Sequence, residues 1–124
     1  MKYKRLLISL FFMLVSAAHG ETLSPQSQQE INYLFSYLEQ SGCEFNRNGT
    51  WHSAHDASAH LRKKYDYLER KNLLSSAEDF IVGAASTSSM SKSPYQVRCP
   101  QTPVMESGPW FTKVLEQYRQ SRKL

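Results

Sequence analysis

Apolar residues recur at helical spacing in four stretches of the chain, and the first stretch carries both a start and a stop signal. Its apolar face consists of Ile31, Leu34, Phe35 and Leu38. Ser24 followed by Pro25 is typical of a helix start, because the hydroxyl caps the first turn and proline fits it. Gly42 is typical of the left-handed residue that ends a helix. The pattern therefore predicts a helix between Pro25 and Gly42.

The second and third stretches each follow a serine that has an aspartate three positions later. Ser53 and Asp56 form the first such pair, and Ser76 and Asp79 form the second. In each pair the hydroxyl caps a helix and the acid lies in its first turn, an acidic variant of the capping box. The apolar face of the second predicted helix is Ala54, Ala57, Leu61, Tyr65 and Leu68. The third predicted helix buries Phe80, Ile81 and Ala84 or Ala85.

Two short strands are predicted between these helices. The first covers residues 43–46 and ends at Asn48-Gly49, a pair that favours a tight turn with positive φ. The second covers residues 95–99, where Tyr95, Val97 and Cys99 alternate onto one face.

A serine-rich stretch, residues 86–94, precedes the second strand. Since apolar structure resumes directly after it, the stretch is predicted to be an ordered loop and not a linker. Residues 100–109 are expected to be irregular. A last helix is expected to start near Pro109, and its core face is Phe111, Val114, Leu115 and Tyr118.

The first twenty residues are predicted to be a signal peptide. Basic residues at positions 2, 4 and 5 precede an apolar run, residues 6–15, that is too short to span a bilayer. Small residues at Ala18 and Gly20 indicate cleavage after Gly20. Residues 21–124 then form a single secreted domain, with no stable membrane anchor after cleavage.

Removal of the signal peptide lowers the net positive charge of the remaining chain. The full chain has 15 basic and 11 acidic residues, and three of the basic residues lie in the signal peptide. Residues 21–124 are therefore nearly neutral, and their basic clusters are typical of solvated helix faces. A nucleic-acid partner, which would require a basic stripe, is not expected.

Cys43 and Cys99 are the two cysteines of the chain, and an oxidising compartment favours a disulfide between them. A redox or metal-binding pair is the alternative, but neither cysteine has a CxxC partner. The predicted disulfide joins the two short strands. The fold expected is a small single α+β domain, with about four helices around a minimal two-stranded antiparallel ribbon stapled by one disulfide.

Several ordered blocks of the sequence resemble the YfeK-like family of small secreted proteobacterial proteins, a domain of unknown function. These blocks are Cys-x-Phe-x-Arg-Asn-Gly from Cys43, His-Leu-Arg-x-Lys from His60, Ala-Glu-Asp-Phe-Ile from Ala77, and Pro-Tyr-x-Val from Pro94. The resemblance implies a periplasmic protein of a Gram-negative bacterium and implies no reaction. Lys92 stands where the family pattern has Gly, so a positive φ there would strain the backbone.

Binding of a polar or anionic ligand, or of a protein partner of the cell envelope, is the function that the polar residues favour. The candidate ligand-binding residues are Arg47, Asn48, His52, His60, Lys64, Ser88, Ser89 and Tyr95. Arginine on a turn and a loop of hydroxyls and amides are groups that bind anions. No cofactor is expected.

A small hydrolase is the alternative function. Asp56 and His60 are four residues apart on one predicted helix, so the carboxylate could orient the imidazole. Ser88 or Ser89 would then be the nucleophile of a Ser-His-Asp arrangement. No nucleophile elbow accompanies these residues, and Asp56 is already explained as part of a cap. The sequence therefore favours a binding module over an enzyme.

His52, His55 and His60 are three imidazoles within nine residues, and imidazole is a common zinc ligand. His55 and His60 are five positions apart, which places them about 140° apart around a helix. His52 precedes the helix cap, and His55 falls where the family usually has Glu. A zinc site is therefore not predicted.

Overall fold

A computed structural model describes residues 23–123 of the chain, and the predicted signal peptide lies outside these residues. The helices are α1 (Pro25–Gln40), α2 (Ala54–Arg70), α3 (Ala77–Phe80) and α4 (Ser107–Ser121). The strands are β1 (Glu44–Arg47), β2 (Thr50–Ser53), β3 (Gln96–Arg98) and β4 (Met105–Glu106). A π-helical turn, Ile81–Ala85, continues α3 without a break. The predicted α+β class is confirmed.

The sheet has four antiparallel strands in the order β2-β1-β3-β4, where the sequence predicted two. The expected pair, β1 with β3, is present, and Phe45 lies opposite Val97 in it. The turn between β1 and β2 has φ of 52° at Asn48 and 88° at Gly49. This turn brings the chain straight back as β2, so residues predicted to be a connection form a hairpin strand. β4 adds two residues at the other edge.

The predicted helix caps are confirmed at three serines. Ser24 Oγ accepts a hydrogen bond from the N–H of Ser27 at 3.1 Å. Ser53 and Ser76 accept from the N–H groups of Asp56 and Asp79, also at 3.1 Å. These bonds fix where α1, α2 and α3 begin.

Three phenylalanines form the centre of the core between the helices and the sheet. Phe35 of α1, Phe80 of α3 and Phe111 of α4 are at most 1% exposed. The ring centroids of Phe35 and Phe80 are 5.2 Å apart, and those of Phe80 and Phe111 are 6.4 Å apart. Packing of this kind favours tilted or edge-on aromatic pairs, as found here. The core faces predicted for the four helices belong to the buried core or pack against it, except for Tyr118. Tyr118 is half-buried and stacks on Tyr33, with ring centroids 4.2 Å apart.

Cys43 and Cys99 form the predicted disulfide, at the ends of β1 and β3. The bond closes a sequence separation of 56 residues, for which the chain-entropy model gives about 4 kcal/mol of stabilisation. It holds together the two central strands of the sheet.

The serine-rich stretch is an ordered loop, as predicted. Ser88 N–H donates to the carbonyl of Ser93, and Tyr95 N–H donates to the carbonyl of Ser86, each at 2.9 Å. Lys92 N–H donates to the carbonyl of Ser88 at 2.9 Å, and Lys92 has φ of 62°. The position where the family pattern has Gly therefore has a left-handed backbone, which strains a lysine.

Within residues 23–123, every helix is too short or too polar to cross a membrane.

Candidate functional site

Four elements bring the polar candidate residues to one place. Arg47 is the last residue of β1, and Tyr95 directly precedes β3. His60 and Lys64 are four residues apart on α2, and therefore lie on the same face of that helix. Ser88 belongs to the serine-rich loop, which folds back beside the β1–β2 turn. The sequence-predicted candidates thus meet although they are up to 48 residues apart.

A chain of hydrogen bonds links Arg47, His60, Tyr95 and Lys64. Arg47 Nη1 lies 2.6 Å from His60 Nδ1. A guanidinium can only donate, so Nδ1 accepts and the ring hydrogen is on Nε2. His60 Nε2 then donates to the Tyr95 hydroxyl at 3.2 Å. Lys64 Nζ donates to the same hydroxyl at 3.1 Å and to the carbonyl of Thr87 at 2.9 Å.

Burial and neighbouring cations shift the protonation of this chain. Burial, and then the charge of Arg47, lower the pKa of His60 from 6.5 to about 4. Burial, and then the charge of Lys92, lower the pKa of Lys64 from 10.5 to about 8. Burial also raises the pKa of Tyr95. At neutral pH the site therefore contains neutral His60, protonated Tyr95 and two cations.

Asn48 connects the hairpin turn to the serine-rich loop. Its side-chain amide donates to Ser88 Oγ at 3.2 Å, and its side-chain carbonyl accepts from Ser91 Oγ at 2.6 Å. Ser88 is 4% exposed, whereas Ser89 is exposed. The loop is therefore fixed against the site by side chains, and not only by its own backbone.

Two buried hydroxyls in the site accept hydrogen bonds and have no acceptor for their own hydrogen. Tyr95 Oη accepts from His60 and Lys64, and Ser88 Oγ accepts from Asn48 and from the N–H of Ser91. Both residues are only 4% exposed. No residue from 23 to 123 accepts the hydrogen of either hydroxyl. Since Tyr95 and Ser88 also line the cleft, each hydroxyl has a hydrogen to donate to a ligand there.

These groups line a cleft of about 490 Å³. Its lining residues are Arg47, Asn48, Thr50, His52, His60, Lys64, Ser88, Ser89, Met90 and Tyr95. All eight predicted ligand-binding residues line it. Thr50 and Met90 were missed, because neither side chain carries a signal in the sequence that separates it from an ordinary loop or strand residue. No carboxylate is among the lining residues.

A second, smaller hollow of about 40 Å³ shares four of these residues with the cleft. Its lining residues are Phe45, Asn46, Arg47, His52, Asp56, Ala57, His60, Leu61 and Tyr95. It has room for a group about the size of one or two water molecules.

The predicted catalytic candidates do not form a Ser-His-Asp chain. Both ring nitrogens of His60 are occupied, by Arg47 and by Tyr95. Asp56 lines the smaller hollow, and Ser88 and Ser89 line the cleft. Within the described part of the chain, no hydrogen bond joins His60 to Asp56 or to either serine. The geometry therefore offers no activated nucleophile.

The three histidines lie on two elements, His52 in β2 and His55 and His60 in α2. Because both nitrogens of His60 are engaged, neither is free to ligate a metal. Across residues 23–123, no group of three or more His, Cys, Asp or Glu side chains is arranged to hold a metal ion.

A larger hollow, of about 680 Å³, lies elsewhere, beside the disulfide. Its lining residues are Tyr37, Ser41, Cys43, Cys99, Pro100, Thr102, Pro103, Val104, Met105, Trp110, Lys113, Val114 and Gln117. Lys113 is its one charged residue, and nothing in it resembles the converging donors of the cleft. Chemistry, and not volume, therefore selects the cleft as the candidate site.

Comparisons with known proteins place the chain in a family. The model of a family of unknown function, DUF5329, matches residues 25–119, which is most of the chain. The chain belongs to this family. It is 30% identical over 93 residues to the protein "Uncharacterized protein YfeK" of Salmonella typhimurium, covering 74% of this chain and 76% of that protein. The resemblance noted from the sequence is thus confirmed. No solved structure matches the chain.

Proposed function

We propose that this protein is a non-enzymatic binding module whose ligand presents an anionic group to the cleft. The observation that supports this most directly is the surplus of donors. Arg47, Lys64 and the hydroxyls of Tyr95 and Ser88 all have hydrogens to donate there. A ligand that satisfies them must bring several acceptor oxygens, and an oxyanion does so.

The charge of the cleft supports the same proposal. The four salt bridges found within residues 23–123 involve neither Arg47 nor Lys64. Arg47 and Lys64 are partly removed from water, and no carboxylate is among the residues that line the cleft. The two cations therefore disfavour each other's charged form, and the charge of Arg47 is one cause of the lowered pKa of Lys64. An anion in the cleft would offset both the repulsion and the loss of hydration. The free protein is thus preorganised for a negative charge that it does not itself supply.

Binding without catalysis is favoured because His60, the predicted general base, is already engaged. His60 accepts from Arg47 and donates to Tyr95, so its role in the cleft is to position the tyrosine hydroxyl. A proton acceptor with a pKa of about 4 is also a weak base at neutral pH.

The setting proposed for this module is the periplasm, since residues 1–20 have the pattern of a signal peptide. The disulfide between Cys43 and Cys99 suits that oxidising compartment. The partner is then a small polar ligand or the acidic group of an envelope protein.

Isothermal titration calorimetry with inorganic phosphate tests the proposal. Wild-type protein, oxidised and lacking residues 1–20, is expected to bind phosphate saturably. Arg47→Met and Lys64→Met should each weaken binding about tenfold or more, because each removes a cation and its donors. Lys113→Met is the matched control, since it removes the same charge at the groove beside the disulfide.

Equal weakening by Lys113→Met would show that general charge and not the cleft attracts phosphate. Absence of saturable binding by the wild type would overturn the proposal that the cleft is an anion site.

A further inference from the structure

Lys92 combines a strained backbone with a position beside the cleft. Its φ of 62° lies in the left-handed region, which a lysine adopts only at a cost. Its N–H donates to the carbonyl of Ser88, a buried residue that lines the cleft. The turn that holds Lys92 is therefore the turn that presents Ser88.

The charge of Lys92 reaches the site. Lys92 itself is exposed, yet its charge is the second cause of the lowered pKa of Lys64, after burial. No salt bridge within residues 23–123 involves Lys92. Arg47 and Lys64 line the cleft, and no carboxylate is among its lining residues. Lys92 does not line the cleft itself, but its backbone bond to Ser88, which does, places it on the adjoining turn as a third cation.

The positive charge of three cations is larger than a singly charged ligand can offset. A carboxylate or a phosphodiester brings one negative charge, whereas a phosphomonoester brings nearly two at neutral pH, with three acceptor oxygens. These oxygens point in different directions, which matches donors that come from β1, α2, the start of β3 and the serine-rich loop. A second negative charge would offset the repulsion between Lys92 and Lys64.

We infer that Lys92 is a specificity-determining residue of the proposed site, and that it selects a phosphomonoester group over singly charged anions. This inference rests on the proposed function and adds the class of ligand to it. The strain at Lys92 is then retained because the side chain contributes to binding.

Two phosphate esters of similar shape, methyl phosphate and dimethyl phosphate, test the inference by calorimetric titration. At about pH 7.5 the monoester is mostly a dianion, whose second pKa is about 6, and the diester is a monoanion. The wild type should bind methyl phosphate about tenfold more tightly than dimethyl phosphate. Lys92→Gly should reduce this preference to about threefold. Because the Coulomb energy is proportional to the charge of the ligand, the variant should lower the affinity for dimethyl phosphate about threefold and the affinity for methyl phosphate about tenfold.

Gln101→Gly is the matched control, because Gln101 also has φ of 62° but lies between Pro100 and Thr102, which line the separate hollow beside the disulfide. Both glycine variants are expected to raise the melting temperature, since glycine relieves the same backbone strain. Only Lys92→Gly should change the preference between the two esters.

An unchanged preference in Lys92→Gly would overturn the role of Lys92 and leave the anion site standing. Binding of neither ester by the wild type would overturn both proposals. Vesicles that contain phosphatidic acid, added as competitors, distinguish two sources of the monoester. If the ligand is a lipid headgroup, the vesicles should displace methyl phosphate. If the ligand is a soluble monoester, methyl phosphate should stay bound in their presence.

Discussion

Arg47 donates a hydrogen bond to His60 across 2.6 Å, from Nη1 of the guanidinium to Nδ1 of the imidazole. A permanent cation therefore occupies the nitrogen through which His60 would otherwise take up a proton. The ring stays neutral and directs its Nε2–H at Tyr95. The consequence is a fixed, donor-rich surface at the junction of β1, α2 and β3, and four predictions follow from this surface and the fold that carries it.

His60 should make the protein less stable in mild acid. Its pKa is about 4 when folded and 6.5 ordinarily, so between these values the unfolded chain binds a proton that the folded protein does not. The free energy of unfolding should fall as the pH drops from about 6.5 to 4, by about 1–2 kcal/mol after allowance for solvent screening.

Urea unfolding at a series of pH values measures this slope. His60→Gln keeps an acceptor and a donor but does not titrate, so the variant should lose that part of the slope. An equal slope in wild type and variant would show that His60 titrates normally in the folded protein.

Lys64 should take up protons when an anion binds. Its pKa is lowered to about 8 in the free protein, first by burial and then by Lys92 and Arg47. A bound anion favours the ammonium form and raises this pKa, so binding of sulfate at about pH 8 should be accompanied by uptake of a fraction of a proton.

Calorimetry in two buffers of different ionisation enthalpy measures this uptake. Sulfate does not titrate in this range, so its own protonation does not contribute. Identical heats in the two buffers would mean that no group changes protonation on binding. Lys64→Met is expected to give that result.

Ser88 and Ser89 should differ although they are adjacent. Ser88 is buried and accepts from the Asn48 amide, so Ser88→Ala should lower the free energy of unfolding by about 0.5–1.5 kcal/mol through loss of that hydrogen bond. Ser89 is exposed, and Ser89→Ala should change it by less than about 0.5 kcal/mol. Denaturant midpoints of the two variants give the comparison, and equal effects would contradict the hydrogen bond between Asn48 and Ser88.

The disulfide should supply a large share of the stability. Replacing both Cys43 and Cys99 by Ala should cost about 4 kcal/mol, because the bond restricts a loop of 56 residues in the unfolded chain. Urea unfolding of the oxidised wild type and of the double variant measures this difference. A loss below about 1 kcal/mol would show that the packed helices alone hold β1 against β3.

Local signals in the sequence were enough to predict most of the fold. The serine caps, the left-handed Gly42 and the apolar faces of the helices depend on neighbours within a few residues, and each is present in the structure. β2 was missed for two reasons. Apolar and polar residues do not alternate clearly in Thr50–Ser53, and this segment runs directly into the cap of α2, so it did not suggest a separate element. The π-helical turn after Phe80 was also missed, because it depends on how α3 packs into the core.

The residues of the site could be named from the sequence, but their arrangement could not. Arg47, His60, Lys64 and Tyr95 were singled out by the family pattern and by their chemistry. The direction of each hydrogen bond, and the neutral state of His60, follow from distances between β1, α2 and β3. Such distances are set by tertiary packing, which leaves no periodic trace in the sequence.

Chemical-shift mapping by NMR with inorganic phosphate tests the central claim most directly. Increasing phosphate added to the isotopically labelled, oxidised protein should give saturable shifts that cluster at Arg47, Lys64, Ser88 and Tyr95. The groove around Lys113 should show none. Shifts that stay linear in phosphate concentration, or that centre on Lys113, would contradict an anion site between β1, α2 and the serine-rich loop.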